Sequence, residues 1–165
     1  MKLIGTIRTR YQSTSDTPVQ SKLNPDEYAT IELDEIYAEG LLGIEGFDHL
    51  WLLTWLDGEP TDQDVPMRQI PYLLQRRGQQ VGVFAMRGPH RPNPIGLSLV
   101  RLVEVRGSAL IVAGVDMLDG TKVLDIKPYV APFDAPAEPG RHGWFDEVVL
   151  PLGATPSTLR PEADR

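Results

Sequence analysis

Residues 81–129 read VGVFAMRGPHRPNPIGLSLVRLVEVRGSALIVAGVDMLDGTKVLDIKPY, and this stretch decides the fold. Its apolar runs at 81–86, 97–105, 110–115 and 122–126 are separated by short segments rich in glycine, proline or aspartate. Short runs of Val, Ile and Leu that end at such turn residues are typical of β-strands. We therefore predict consecutive strands here, with the polar residues collected at the strand ends, where functional sites are usually built.

The rest of the chain continues this pattern. Further strands are predicted at 3–7, 30–33, 49–56 and 144–150, and the run at 49–56 is apolar enough for a strand buried on both faces. Asp34 is a candidate cap for one short helix that continues to residue 42. We predict that residues 63–80 form a mobile loop outside the strands with about one helical turn, because Pro66 and Pro71 interrupt the helical spacing.

The connections between these strands are too short for the crossover helices of a parallel sheet. The residues therefore predict a single all-β domain over 1–150, either an antiparallel barrel or a sandwich, with one or two short helices. Residues 151–165 form a polar C-terminal tail, which we expect to fray from residue 154 onward.

Composition excludes several classes of protein. Hydrophobic residues make up 41% and charged residues 24% of the chain, which is typical of a globular domain. The sequence has no cysteine, no apolar run of membrane-spanning length and no signal-peptide core after Met1, so we expect a cytoplasmic protein without a membrane partner. The histidines, His49, His90 and His142, are widely separated, so no metal site is predicted. His49 lies in an apolar run and is interpreted as a core histidine and not as a base.

Charge is unevenly distributed along the chain. The net charge is −7, but residues 66–106 hold seven arginines and one acid, which is +6 and leaves −13 for the remainder. Such a segment is consistent with an anion-binding face. The alternative, which charge alone favours, is that these arginines pair with the surplus acids.

Residues 87–96 form a stiff loop with three prolines, because proline fixes its own φ and restricts the residue before it. Arg87 and Arg91 bracket this loop. Their guanidinium groups are suited to bidentate binding of a phosphate or a carboxylate. The alternative is a carboxylate clamp within the protein that only fixes the loop.

A second polar turn lies at residues 116–120. Asp116 and Asp119 flank it, either as turn residues that accept backbone N–H groups or as the wall of a pocket that favours positive charge. Asp125 lies in an apolar run and needs a cationic partner, for which Lys127 and Arg101 are candidates. No general base is identified, so the catalytic residues remain unassigned.

These motifs carry a resemblance to a known family. The segment RGPHRPNPIG at 87–96, the segments VDMLDGT at 115–121 and LDIKPY at 124–129, and FDHLWL at 47–52 resemble the signatures of the TsaA-like family, which includes the bacterial tRNA methyltransferase O enzymes. The likeness covers roughly residues 3–145. The chain resembles a short form of the family, without the extra C-terminal region of longer bacterial members.

The resemblance implies a homodimeric β-barrel that binds S-adenosylmethionine. The implied activity is N6-methylation of threonylcarbamoyladenosine next to the anticodon of tRNA. Carried over position by position, the resemblance assigns cofactor binding to Pro18, Val19, Gln20, Asp57, Arg87, Leu97, Asp116, Met117, Leu118 and Asp119. Substrate binding is expected at Arg87, His90, Arg91, Asn93 and Lys127. Two alternatives stay open: an S-adenosylmethionine-dependent methyltransferase of a small metabolite, and a non-enzymatic β-barrel module that binds nucleotides or RNA.

Overall fold

The computed structural model describes residues 1–56, 65–148 and 150–159. Its strands are β1 (Gly5–Arg8), β2 (Tyr28–Leu33), β3 (His49–Trp55), β4 (Arg68–Gln69), β5 (Val81–Gly82), β6 (Ile95–Arg106), β7 (Ala109–Ala113) and β8 (Lys122–Pro128). The α-helices are short, α1 (Ala131–Asp134) and α2 (Pro156–Leu159). The 3-10 helices are Ser21–Leu23, Glu35–Leu41, Ile44–Gly46, Tyr72–Arg77, Val83–Ala85 and Gly143–Glu147. None of the helices in the described residues is long and apolar enough to cross a membrane.

Six strands close into an antiparallel barrel in the order β1-β2-β7-β6-β3-β8, with β8 pairing back onto β1. The fold prediction is thereby confirmed in its barrel form. Register shifts interrupt the pairing of β3 with β8 and of β6 with β7. Such irregularities bend a strand and increase its twist, which helps a sheet to close on itself. β4 and β5 form a separate two-stranded sheet outside the barrel.

Alternation along the strands fills the barrel interior. In β3, the side chains of Leu50, Leu52 and Thr54 are fully buried, whereas the residues between them are only half-buried. Successive side chains of a strand point to opposite faces, so this pattern places one face inside the barrel. The prediction that residues 49–56 are buried on both faces is therefore wrong. His49 is exposed and is not a core histidine; its ring lies edge-on to Tyr129 at a centroid distance of 6.4 Å.

One close approach explains a glycine at the start of β6. Gly96 pairs with Thr54, and a Cβ at this glycine would lie 2.2 Å from the Thr54 hydroxyl oxygen. No larger residue fits without moving β3. The absence of a side chain here lets the first residues of β6 pair closely with the end of β3, next to the cavity described below.

Two predicted strands are wrong in whole or in part. Residues 144–150 were predicted as a closing strand, but Gly143–Glu147 is a 3-10 helix whose aromatic residues pack beside the loop after β5. Of the strand predicted at 81–86, only Val81–Gly82 is extended, and Val83–Ala85 turns into a 3-10 helix. The helix predicted from Asp34 exists as the 3-10 helix Glu35–Leu41, although the Asp34 side chain does not cap it.

The described part of the tail is packed against the barrel and does not fray. The Gly153 N–H donates to the Leu23 carbonyl over 2.6 Å, and the Val19 N–H donates to the Ala154 carbonyl over 3.0 Å. Ala154 is buried. Residues 153–157 thus hold the loop between β1 and β2, which contributes to the candidate site. The domain boundary at residue 150 stays a prediction.

Candidate functional site

A cavity of about 640 Å³ lies at the end of the barrel where β3 ends and where β6 and β8 begin. Its walls come from six parts of the chain: residues 14–20 after β1, Leu56 after β3, residues 71–73, the loop at 86–98, the loop at 116–121, and aromatic and proline residues beyond residue 140. The predicted site residues that line it are Pro18, Val19, Gln20, Arg87, Arg91, Leu97, Asp116, Met117, Leu118 and Asp119. The fold thus brings most of the predicted site residues around one space.

Asp116 places a half-buried carboxylate in this wall. Its Oδ1 accepts a hydrogen bond from the Ser98 hydroxyl over 2.6 Å, and its Oδ2 accepts one from the Ser21 N–H over 2.8 Å. Burial raises the pKa of Asp116 above its ordinary value, while these two bonds and the charge of Arg87 act in the opposite direction. The arrangement holds a carboxylate, already supplied with two donors, in the cavity wall.

Asp119 is fixed to the segment that follows β1. Its Oδ1 accepts from the Thr9 N–H over 3.1 Å, and its own N–H donates to the Tyr11 carbonyl over 2.8 Å. Gly120 has φ of 81°, a left-handed conformation that completes the turn. Asp119 therefore has a structural role in this loop as well as a position on the cavity wall.

Arg87 and Arg91 both line the cavity, but neither is held by an acid. Arg87 Nη2 lies 3.4 Å from the Leu97 carbonyl oxygen, and Arg91 Nη2 lies 3.3 Å from the Val83 carbonyl oxygen. Within the described residues, no carboxylate lies within 4.0 Å of either guanidinium. The carboxylate clamp considered from the sequence is therefore not what fixes this loop in the described structure.

The ion pairs also bear on the two interpretations of the basic segment at 66–106. Of its seven arginines, Arg77 pairs with Glu147 and Arg106 pairs with Glu104. Arg68, Arg76, Arg87, Arg91 and Arg101 have no carboxylate within 4.0 Å in the part of the chain that the structure describes. Within the described residues, most of these arginines are thus not paired with an acid, and an anion-binding face stays a prediction.

The remaining predicted site residues lie elsewhere. His90 and Asn93 belong to the stiff loop but are not among the described residues that line the cavity; the His90 carbonyl accepts from Gln69 Nε2 over 2.8 Å, and the Asn93 carbonyl accepts from the Ile95 N–H over 2.7 Å. Lys127 lies near the end of β8, is not among the described residues that line the cavity, and forms an ion pair with Asp125 at 3.0 Å. Asp57 lies outside the described residues.

Sequence reasoning missed an aromatic wall of the cavity. Trp144 and Phe145 stack with ring centroids 3.8 Å apart and an interplanar angle of 23°. The Trp144 Nε1–H donates to the Ala85 carbonyl over 2.8 Å, and the Tyr72 hydroxyl donates to the Pro156 carbonyl. The signal was present in the adjacent aromatic residues at 144 and 145, but both residues fall in the strand predicted at 144–150.

The comparisons with known proteins show which family the chain belongs to. A family described as the tRNA-methyltransferase O N-terminal domain matches residues 6–135. The chain belongs to this family. The tRNA-methyltransferase O match includes the segments that contribute 18–20, 87–98 and 116–121 to the cavity, but it ends before the aromatic wall.

Relatives in the family carry related names. A Pyrococcus abyssi protein, named a probable S-adenosyl-L-methionine-binding protein, is 40% identical over 149 residues, which are 90% of this chain and 77% of that protein. A Mus musculus protein, named tRNA (adenine(37)-N6)-methyltransferase, is 38% identical over 137 residues, which are 81% of this chain and 31% of that protein. The crystal structure of TrmO from Pseudomonas aeruginosa is 40% identical, has a TM-score of 0.68, and is matched over 86% of this chain and 60% of that chain. This chain thus spans about a third of the mouse relative and 60% of the Pseudomonas structure.

Proposed function

We propose that this protein binds S-adenosylmethionine in the 640 Å³ cavity and transfers its methyl group to N6 of threonylcarbamoyladenosine next to the anticodon of tRNA. The proposal rests on one observation. Three segments far apart in the sequence, at 18–20, 87–97 and 116–119, to which the family resemblance assigns the cofactor, contribute walls to a single cavity. Family membership and the names of the relatives support the same activity.

The residues around the cavity fit this cofactor. A volume of about 640 Å³ is within the range of small-molecule sites, which are roughly 300–1,000 Å³. Leu97, Met117 and Trp144 supply apolar surface for a flat base, and Asp116 supplies a carboxylate for positive charge. Arg87 supplies a guanidinium for a carboxylate.

The chemistry needs alignment more than proton transfer. When bound, S-adenosylmethionine supplies a methyl group that is already activated by its sulfonium. Asp116, held by Ser98 and Ser21, keeps negative charge at a fixed position in the wall and so favours a cation beside it. The cavity walls also hold the two reactants in one geometry, which lowers the entropic part of the barrier. The carbamoyl substituent makes the N6–H more acidic than that of a plain amine, so water can accept the proton that leaves N6 as the methyl group moves from sulfur to nitrogen.

Substrate binding is assigned to the arginine loop. Arg91 lines the cavity and presents a guanidinium without a carboxylate partner in the described residues, so it is suited to the carboxylate of the threonylcarbamoyl group. Arg68, Arg76 and Arg101 provide phosphate contacts on an otherwise acidic protein. The activity places the protein where tRNA is modified, in the cytoplasm.

The protein is also proposed to act as a homodimer. Leu97 and Ile95 lie on β6 at the edge of the cavity with 50% and 42% of their surfaces exposed. A second copy that covers these side chains would bury apolar surface and narrow the cavity. Light scattering is expected to give twice the 18.3 kDa chain mass at micromolar concentration, and a mass near 18.3 kDa would contradict the dimer.

The experiment that tests the function is methyl transfer from labelled S-adenosylmethionine to tRNA purified from cells with and without the threonylcarbamoyl modification. The proposal requires label only in the modified tRNA. Equal labelling of both would refute recognition of the carboxylate. Tight cofactor binding without labelling of either tRNA would favour methylation of a small metabolite, and no cofactor binding would favour a non-enzymatic nucleotide- or RNA-binding module.

A further inference from the structure

A second cavity of about 370 Å³ adjoins the first. The two share a wall formed by Met86, Arg87, Trp144 and Phe145. Phe84 and Arg141 line only the second cavity, and none of the segments at 18–20 and 116–119 reaches it. It is therefore a neighbouring compartment with residues of its own.

The shared wall offers a flat aromatic surface whose orientation is fixed. Trp144 stacks on Phe145 at 3.8 Å, and its Nε1–H bond to the Ala85 carbonyl fixes the direction of the indole. Phe84, one residue before Ala85, also lines the cavity and is 82% exposed. A fixed aromatic surface beside a freely exposed aromatic ring suits a planar base, since nucleobases stack on such side chains with little dependence on base identity.

Positive charge surrounds this aromatic surface. Arg87 and Arg141 line the cavity, and in the described residues neither has a carboxylate within 4.0 Å. The nearby carboxylate of Asp146 is engaged by His142, whose Nδ1 lies 2.7 Å from Oδ1, and this contact lowers the pKa of Asp146. Two cations next to stacked aromatic rings match the two parts of a nucleotide, an anionic phosphate and a flat base.

We propose that this second cavity binds a nucleotide that flanks the target adenosine in the RNA substrate. Its base stacks on the surface formed by Phe84 and Trp144, and its phosphate contacts Arg141. The inference rests on the proposed function, because the shared wall places this nucleotide beside the base that enters the first cavity. Unpaired bases in RNA loops are the ones that can be splayed out in this way. Arg141, Trp144 and Phe145 all lie beyond residues 6–135, which match the family.

The test compares Phe84→Ala and Arg141→Ala with controls that line neither cavity. Phe133→Ala removes another aromatic ring, 86% exposed on α1, and Lys2→Ala removes another positive charge before β1. Three quantities are measured for each protein: the Kd for tRNA that carries the threonylcarbamoyl group, the KM for the same tRNA, and the Kd for S-adenosylmethionine by calorimetry. Because Phe84 is exposed, its replacement leaves the fold intact, which the melting temperature checks.

We expect Phe84→Ala to weaken tRNA binding about tenfold, the scale of losing one base–aromatic stack, and Phe84→Tyr to restore it. Arg141→Ala is expected to weaken tRNA binding. It should also reduce the slope of log affinity against log salt concentration by about 1 in magnitude, as expected for the loss of one phosphate contact. Both variants should keep the wild-type Kd for S-adenosylmethionine, and the controls should keep all three values. Unchanged tRNA affinity in both variants would overturn the inference, and so would an equal loss of cofactor affinity, which would assign the cavity to the cofactor.

The two proposals can fail separately. A wild-type protein that binds tRNA through Phe84 and Arg141 but transfers no methyl group would overturn the proposed function and leave the subsite. A wild-type protein that methylates tRNA with no effect of either substitution would overturn the subsite and leave the function. Absence of both tRNA binding and methyl transfer would overturn both.

Discussion

Ser98 donates its hydroxyl hydrogen to Asp116 Oδ1 over 2.6 Å, and this bond ties β6 to the loop that follows β7. The second oxygen of the same carboxylate accepts from the Ser21 N–H, so the segment between β1 and β2 is held at the same point. Three walls of the cavity therefore meet at one half-buried carboxylate. The charge of Asp116 and its hydrogen bonds have different effects on cofactor affinity and on stability, and substitutions can separate these effects.

Replacing Asp116 by Asn removes the charge and keeps the size and an acceptor oxygen. We expect the affinity for S-adenosylmethionine to fall at least about tenfold, because the carboxylate no longer attracts the cofactor's positive charge. At neutral pH the melting temperature should be unchanged or higher, because a half-buried charge is removed. Calorimetry and thermal unfolding measure the two quantities. Wild-type affinity in a folded Asp116→Asn protein would remove the charge of Asp116 from cofactor binding.

The same residue predicts a pH dependence of stability. Burial raises the pKa of Asp116 in the folded protein above its ordinary value of 3.8, so the folded state binds this proton more tightly than the unfolded state does. This contribution to the free energy of unfolding is present below about 3.8 and is lost as pH rises through the raised pKa. Asp116→Asn cannot titrate at this position. Its stability relative to the wild type should therefore increase across this window and then level off, as measured by urea unfolding at stepped pH. A difference that is constant with pH would contradict the shift.

Asp119 allows a structural role to be separated from a binding role. Asp119→Ala leaves the Thr9 N–H without its acceptor, so we expect a loss of about 1 kcal/mol in unfolding free energy and weaker cofactor binding. Asp119→Asn keeps an acceptor oxygen and should recover the stability. Cofactor titrations of both variants then decide the matter: if Asp119→Asn also recovers wild-type affinity, the residue acts by holding the loop, and if the affinity stays low, its charge faces the cofactor.

The arginine loop is tested by a substitution that keeps its charge. Arg91→Lys loses the planar guanidinium that binds a carboxylate through two parallel hydrogen bonds, so kcat/KM for tRNA should fall about tenfold, corresponding to roughly 1.4 kcal/mol. Arg106→Lys is the matched control, because Arg106 is exposed, pairs with Glu104 and ends β6 away from the described residues that line the cavity. Equal rates for the two variants would show that Arg91 contributes only charge.

The barrel was predictable because its signal is local. Alternating residues such as Leu50 and Leu52 in β3, and the apolar runs between glycine and proline turns, specify strands without knowledge of their partners. The closing strand predicted at 144–150 failed for the opposite reason. Trp144 is placed by a hydrogen bond to Ala85, 59 positions away, and the local sequence does not indicate that contact.

The sequence predicted which segments contribute to the candidate site but not which residues hold those segments together. The motif at 116–119 and the loop at 87–97 were found from the sequence, whereas Ser21, the partner of Asp116 from 95 positions away, was not. Lys127 was expected to bind the substrate from the family resemblance, but it pairs with Asp125 on β8 and is not among the described residues that line the cavity.

The central claim is methyl transfer to N6 of threonylcarbamoyladenosine, and the most direct measurement is the mass of the modified nucleoside. tRNA carrying the threonylcarbamoyl group is incubated with the protein and S-adenosylmethionine, digested to nucleosides and analysed by mass spectrometry, with Asp116→Asn as the matched control. The account predicts that threonylcarbamoyladenosine is converted to a nucleoside heavier by one methyl group, with fragmentation placing that group on the base, and that conversion is slower with the variant. A methyl group on any other nucleoside, or unchanged threonylcarbamoyladenosine with protein that binds the cofactor, would contradict it.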